Sequence, residues 1–346
     1  MSRTEALPRL CFVGPLLGRN EGWVLSQGEI LADLFASDGY TVHLTSGIPY
    51  RFLRMADIIR SLIFWRKSYD IANLAVFSGP GFLAVDIASM VLKRLGKPAV
   101  FVLRGGNLID FAQHHPQWTR QVLRRSQVIV SPSEFLAQFF RNWGFRVKTI
   151  PNVLAIENYT YRQRDKVKPC LLWMRTFHPI YNPQMAVETL RELHRSVPQA
   201  RLTMAGQEKG VLEAMKQMVA HDRLEDSIRF AGYLDLVGKQ REFPAHDIFL
   251  NTNRVDNMPV SVIEAAAFGL PVVATDVGGI PYLLSHDKSG LLVKNEDAVG
   301  MADAIKRLLS DPQLCARLSK NGRLLAESCS WTNVKKEWEK VFAEIV

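Results

Sequence analysis

Along the chain, short apolar runs ending in glycine or a polar turn alternate with stretches whose apolar positions recur at helical spacing. Alternation of that kind is the signature of a parallel sheet with crossover helices. The first unit predicted is a strand at Leu10–Val13, a loop containing Gly14, Gly18 and Gly22, a helix near Ser26–Asp38, and a strand at Tyr40–Thr45. Further strands are predicted at Ile71–Val76, Ala99–Leu103 and Val128–Val130. A second series runs through Cys170–Met174, Arg201–Ala205, Ser227–Ala231, Ile248–Asn251, Pro271–Ala274 and Leu291–Val293, with helices such as Asn182–Ser196 between them.

Two α/β units of similar size therefore follow one another, and a cleft between two such domains is a natural place for a site. The polar stretch Tyr159–Pro169 lacks an apolar period and reads as the linker. Ser330–Val346 reads as a helix with Val334, Trp338, Val341, Phe342 and Ile345 on one face, which needs something to pack on.

Composition narrows the class. The 346 residues are 47% hydrophobic and 22% charged, which excludes disorder, collagen and coiled coil. Cys11, Cys170, Cys315 and Cys329 are scattered singly, which argues against a disulfide framework and a structural zinc site. The N-terminal stretch through Gly18 suits a strand and loop better than a secretion signal, and no window approaches a membrane span. A cytoplasmic protein, peripheral at the inner face of the membrane, is the expectation.

Charge is uneven: the net +9 divides into +8 over residues 1–165 and +1 over the remainder. Between Tyr50 and Tyr69, Arg51, Arg54, Arg60, Arg66 and Lys67 interleave with Phe52, Leu53, Ile58, Ile59, Leu62, Ile63, Phe64 and Trp65. A basic amphipathic helix at an anionic membrane has this pattern, and so does a core-packing helix with a solvated basic face. No helix-turn-helix, zinc-finger or RNA-recognition signature accompanies the charge, so nucleic acid is not an expected partner.

The segment Asn251–Leu284 carries most of the candidate chemistry. A strand ends near Asn251, a polar turn holds Asp256, and Pro259 stands where a helix over Val260–Phe268 begins, with Gly269 at its C-terminal cap. Free N–H groups at that helix start suit a phosphate. Glu264 lies about 6 Å further along the axis. A second turn, with Gly278 and Gly279, permits close approach of backbone to a ligand.

Asp256 and Glu264, with seven residues between them and followed by AAAFGLPVVATDVGGIP, resemble the acidic motif of the group 1 glycosyltransferases, the retaining family 4 of GT-B fold. VSPSEFL (Val130–Leu136), IPNV (Ile150–Val153), WMRT (Trp173–Thr176), FAG (Phe230–Gly232) and HDKSGLLV (His286–Val293) agree in order. The resemblance implies an α/β architecture of two Rossmann-like doubly wound domains facing across a cleft. Residues 1–160 would bind the acceptor, residues 166–325 the nucleotide-sugar, and helix 330–346 would cross back to the first domain.

The implied activity moves a sugar from a nucleotide diphosphate-sugar to a glycan or lipid-linked acceptor with retained anomeric configuration. Glu264 would bind the ribose hydroxyls and Asp256 the donor sugar, with Asn257, Met258, Pro259 and Val260 lining sugar and phosphate. Arg175 would hold the diphosphate and stabilise the leaving group. Gly18 and Gly22 would close over the phosphates, and Gly232 would join the donor site. Arg104, Gly105, Gly106 and Asn107, after a strand, are candidates for acceptor or sugar contacts.

Two departures stand out: the first acid is Asp, and the lysine usual about five residues after the arginine is replaced by Ile180, with His178 the nearest candidate substitute. With no Asp-x-Asp and no His-x-x-x-His, no metal and no cofactor are expected. A GT-B phosphorylase and a non-catalytic nucleotide-sugar-binding subunit are the alternatives. A nicotinamide-dependent oxidoreductase is disfavoured by the G-x3-G-x3-G spacing of Gly14, Gly18 and Gly22.

Overall fold

The computed structural model describes residues 7–345. The part of the N-terminal reading before Leu7, and Val346 of the predicted terminal helix, lie outside the described residues. The chain forms two compact units: unit 1 is the chain to Val153 together with the segment from Trp331 on, and unit 2 is Leu154–Ser330.

In unit 1 the strands are β1 (Leu10–Val13), β2 (Val42–Thr45), β3 (Ile71–Val76), β4 (Ala99–Leu103), β5 (Val128–Ser131) and β6 (Val147–Thr149). Its helices are α1 (Gln27–Ser37), α2 (Arg51–Phe64), α3 (Pro80–Arg94), α4 (Leu108–His114), α5 (Pro116–Leu123) and α6 (Glu134–Asn142). All strand pairs are parallel, in the order β2-β1-β3-β4-β5-β6. Parallel central strands are covered on both faces and so read as continuous apolar runs; all four residues of β1 are buried. On one face Cys11, Leu74 and Phe101 pack with α2 and α3, and on the other Phe12 and Val102 pack with α1.

Unit 2 has strands β7 (Cys170–Met174), β8 (Arg201–Ala205), β9 (Ile228–Gly232), β10 (Ile248–Asn251), β11 (Val272–Thr275) and β12 (Leu291–Val293), all parallel. Its helices are α7 (Pro183–His194), α8 (Leu212–His221), α9 (Leu236–Ala245), α10 (Val260–Ala267), α11 (Ile280–Leu283), α12 (Ala298–Ser310) and α13 (Pro312–Ser328). A last helix, α14 (Trp331–Ala343), belongs to unit 1. Its buried Val334, Trp338, Val341 and Phe342 join the cluster of Phe12 and Phe35, with the Phe35 and Trp331 rings edge to face at 4.8 Å.

The stretch Tyr159–Pro169 corrects the linker reading, because it is built into unit 2. Arg164 looks solvated in the sequence, yet it is 2% exposed. Its guanidinium donates to the carbonyls of Arg162, Phe268, Phe243 and His246, and its amide donates to Ser319 Oγ at 3.0 Å. Burial pulls the guanidinium down to about 10, still protonated at neutral pH. A charge met by four carbonyl acceptors can be buried, so polarity alone misplaced this boundary. The division falls after Val153, and unit 2 runs to Ser330.

Candidate active site

In unit 2 the strand order is β12-β11-β10-β7-β8-β9. The chain begins at β7, builds outward through β8 and β9, then returns to lay β10 on the other side of β7. The order reverses between β7 and β10, and open α/β sheets bind ligands outside the carboxyl ends of their strands at such a point. Arg175 is the first residue after β7, and the loop carrying Asn253 and Asp256 follows β10.

These side chains meet. Arg175 Nη2 donates to Asp256 Oδ2 at 2.5 Å, and its guanidinium carbon stands 4.0 Å from the Tyr181 ring centroid. Asn253 Nδ2 donates to the same Oδ2 at 2.7 Å, while Oδ1 accepts from the Asn257 amide at 2.7 Å. Both ions are largely shielded, with side chains 18% and 12% exposed. Asp256 thus orients the guanidinium and offsets its charge. Arg175 Nε, Asn253 Oδ1 and Ser261 Oγ are buried without a partner among the described residues. They are a donor, an acceptor and a hydroxyl available to a polar ligand.

The turn from β10 into α10 is held by glycine on the neighbouring loop. Gly279 N donates to Asp256 O at 2.9 Å, and Gly278 has φ +55; a Cβ on either would run into the main chain of Asp256–Asn257. These glycines therefore let the loop approach the protein backbone of Asp256–Asn257. Pro259 caps α10, whose eight residues are followed by Phe268 and by Gly269 at φ +83.

Glu264, 4% exposed, lies in the second turn of α10. Its Oε1 accepts from Tyr159 hydroxyl at 2.9 Å and from Lys239 Nζ, on α9, at 2.7 Å. Burial, then the Glu264 charge, push the Tyr159 hydroxyl up, so it stays a donor. With one oxygen clamped, the carboxylate is fixed in orientation, which is what recognition of a diol requires. Tyr159, Lys239, Asn253 and Tyr181 were not singled out from sequence. Lys239 and Glu264 are 25 residues apart, a separation at which no local period marks a pair.

The remaining candidates are spread over both units. Asn257 and Met258 are buried in the same turn, beside Pro259, and Val260 opens α10. Gly232 ends β9, and its carbonyl accepts from Gly206 N at 2.8 Å. His178 is exposed and its Nδ1 accepts from Ile180 N at 3.2 Å, so it caps a turn and is not among the partners of Arg175 or Asp256 described above. In unit 1, Gly18 and Gly22 lie in the loop after β1; a Cβ on Gly18 would meet Leu25 backbone. Arg104, after β4, donates to Asn152 Oδ1 at 2.7 Å, and burial lowers its guanidinium to about 10. Gly105 has φ +81 in the turn through Gly106 to Asn107, which precedes α4.

A twofold sheet architecture with this site at its second switch point is that of a GT-B protein. Residues 161–325 match the family model for glycosyl transferases group 1, and the segment is a group 1 glycosyltransferase domain. A GDP-mannose-dependent alpha-(1-6)-phosphatidylinositol monomannoside mannosyltransferase of Mycobacterium tuberculosis is 25% identical over 77% of this chain, which spans 65% of that relative's length. An N-acetyl-alpha-D-glucosaminyl L-malate synthase of Bacillus anthracis is 24% identical over 92% of this chain and 93% of its own. Among solved structures, sucrose-phosphate synthase of Thermosynechococcus elongatus has TM-score 0.79 at 15% identity, covering 98% of this chain and 99% of its own. HepE of Anabaena, solved with UDP and glucose, has TM-score 0.75 at 15% identity, covering 97% and 100%. At that identity the structural likeness shows the fold.

Proposed function

We propose that the protein is a retaining glycosyltransferase that moves a sugar from a nucleotide diphosphate-sugar to a glycan or lipid-linked acceptor, without a metal, in cell-surface polysaccharide or glycoconjugate synthesis. The observation that carries the reading is the Arg175–Asp256 pair at the switch point, with a clamped Glu264 in the second turn of the helix that follows. The ribose diol binds Glu264, and the diphosphate reaches the Arg175 guanidinium. Asp256 turns to the donor sugar, lined by the 257–260 backbone.

The acceptor hydroxyl attacks the anomeric carbon on the face from which the diphosphate leaves. The bond from that carbon to the phosphate oxygen breaks, the new glycosidic bond forms, and the hydroxyl proton passes to the departing phosphate. The protein positions the reactants and stabilises the leaving charge. The lysine usual about five residues after the arginine is replaced by Ile180. Gly18, Gly22 and Gly232 are assigned to the donor, and Arg104–Asn107 to the acceptor or sugar. Unit 1, the more basic, rests peripherally on the cytoplasmic membrane face.

Calorimetry with UDP, GDP, ADP, dTDP and CMP tests the reading. Selective binding of one diphosphate, weakened in Glu264→Ala, followed by transfer that survives a chelator, is the expected result. Binding with no transfer to any acceptor would favour a non-catalytic subunit, and activity with free phosphate and no nucleotide would favour a phosphorylase.

A further inference from the structure

Unit 1 has a switch point of its own. The chain starts at β1, pairs it with β2, then crosses to place β3 on the other side. Where the order reverses, between β1 and β3, a cavity of about 760 Å³ opens. Small-molecule sites span about 300–1,000 Å³. Val13 of β1 and Leu74 of β3 line its floor, Met55 and Ile58 of α2 form one wall, and Leu83 and Ile87 of α3 form another. Phe52 and Leu83 also line it and are 92% and 49% exposed, so they mark its mouth.

The polar groups at the rim are few and of one sign. Arg51 and Arg54 line the cavity, and Ser78 stands beside the N-terminus of α3 at Pro80. Arg54 Nη1 donates to the carbonyls of Ile48 and Pro49, and neither guanidinium belongs to an ion pair among the described residues. Burial and the neighbouring Arg51 charge both lower Arg54. An apolar cavity with two uncompensated cations at its mouth fits an anionic head carrying a long apolar tail.

The outer face of α2 says where such a ligand comes from. Phe52, Leu53, Ile63 and Phe64 are 92%, 59%, 44% and 77% exposed. Positions 52 and 63, like 53 and 64, are eleven residues apart, so each pair shares a helix face about 16 Å long. Arg60 falls on the same stripe, and Asp57 is the one acid between residues 50 and 69 against five bases. Aromatic and basic side chains on one exposed helix face are the chemistry of an anionic bilayer surface. Phe52 belongs both to this stripe and to the cavity lining, so the cavity opens onto the side that carries the stripe.

We propose that this cavity receives the hydrocarbon chain of a phosphate-bearing membrane lipid whose head stays at the rim with Arg51 and Arg54. The identification of that lipid as the acceptor rests on the transferase reading; the binding site itself does not.

The test is calorimetry with oleoyl lysophosphatidic acid below its micelle concentration, against glycerol 3-phosphate. One lysophosphatidic acid per chain should bind and glycerol 3-phosphate should not. Ala84→Trp, which fills the cavity, should weaken binding about tenfold or more by displacing apolar contact area. Arg51→Glu should weaken it and reduce association with phosphatidylcholine vesicles containing phosphatidylglycerol. Nucleotide binding should be unchanged in both variants. Should Ala84→Trp fail to fold, Leu83→Trp at the exposed mouth carries the same expectation.

Equal binding of glycerol 3-phosphate, no lipid binding by the wild type, or unchanged affinity in a folded cavity-filled variant would overturn the proposal. So would a dimer closed over α2 in sedimentation. Lipid binding without nucleotide binding would sink the transferase reading and leave the cavity assignment standing. Nucleotide binding without lipid binding would do the reverse.

Discussion

The two sheets share a parallel six-stranded construction, yet their switch points offer opposite chemistry. Unit 2 gathers Arg175, Asp256, Asn253 and the clamped Glu264. Unit 1 opens an apolar cavity with cations at the rim. The difference arises in the segments attached to the strands. After β7 and β10 the chain enters polar loops, whereas β1 and β3 are flanked by α2 and α3, whose facing sides are apolar. One sheet plan therefore supplies two unlike sites, and function has to be argued from the residues at each.

That contrast can be broken or sharpened by substitution. The largest expected effect is on stability: Trp338→Ala, a buried aromatic on α14, should cost about 3–5 kcal/mol. Denaturant unfolding should show the loss in the transition of unit 1. Next, Arg175→Ala should lower turnover about 100-fold or more and leave lysophosphatidic acid binding intact. Near wild-type turnover would remove the leaving-group role.

Glu264→Ala should weaken diphosphate binding by about 10- to 100-fold, the scale of losing hydrogen bonds to a charged group. Tyr159→Phe should reproduce only part of that loss. The smallest effect is on pH dependence. His246, buried in unit 2 between Glu242 O and Thr203 Oγ1, has its imidazole pushed below the usual range, chiefly by burial. The unfolded chain then binds the proton more readily, so stability is full above about pH 6.5 and declines as pH falls toward the folded value. Thermal melts from pH 7 to 5 should show the decline, and His246→Gln should flatten it.

Much of the sheet framework was legible because buried parallel strands are apolar throughout. Leu10–Val13, Cys170–Met174 and Ile248–Asn251 were marked by composition and bounded by turns. β6 was not, since Val147–Thr149 has one buried residue of three. In the site, Asp256 and Glu264 were legible from a local motif. Arg175 was named through the resemblance, but its pairing with Asp256, 81 residues away, was not legible, and neither was Tyr159, which lies 105 residues from Glu264. Arg164 was misread for a related reason, because the carbonyls that receive it come from distant turns. Local pattern reports periodicity and caps, whereas buried polar clusters depend on where the fold brings separate loops.

The return of α14 to unit 1 sets an order of events during synthesis. Unit 2 is one continuous stretch, Leu154–Ser330, and has all its parts once Ser330 has emerged. Unit 1 must wait for Trp331 onward to cover Phe12 and Phe35. Domains commonly fold from the N-terminus as they emerge. Here β1 keeps one apolar face incompletely covered until α14 arrives, so the later-encoded unit is complete first. The turns of α14 then close over the apolar face that β1 and α1 leave open.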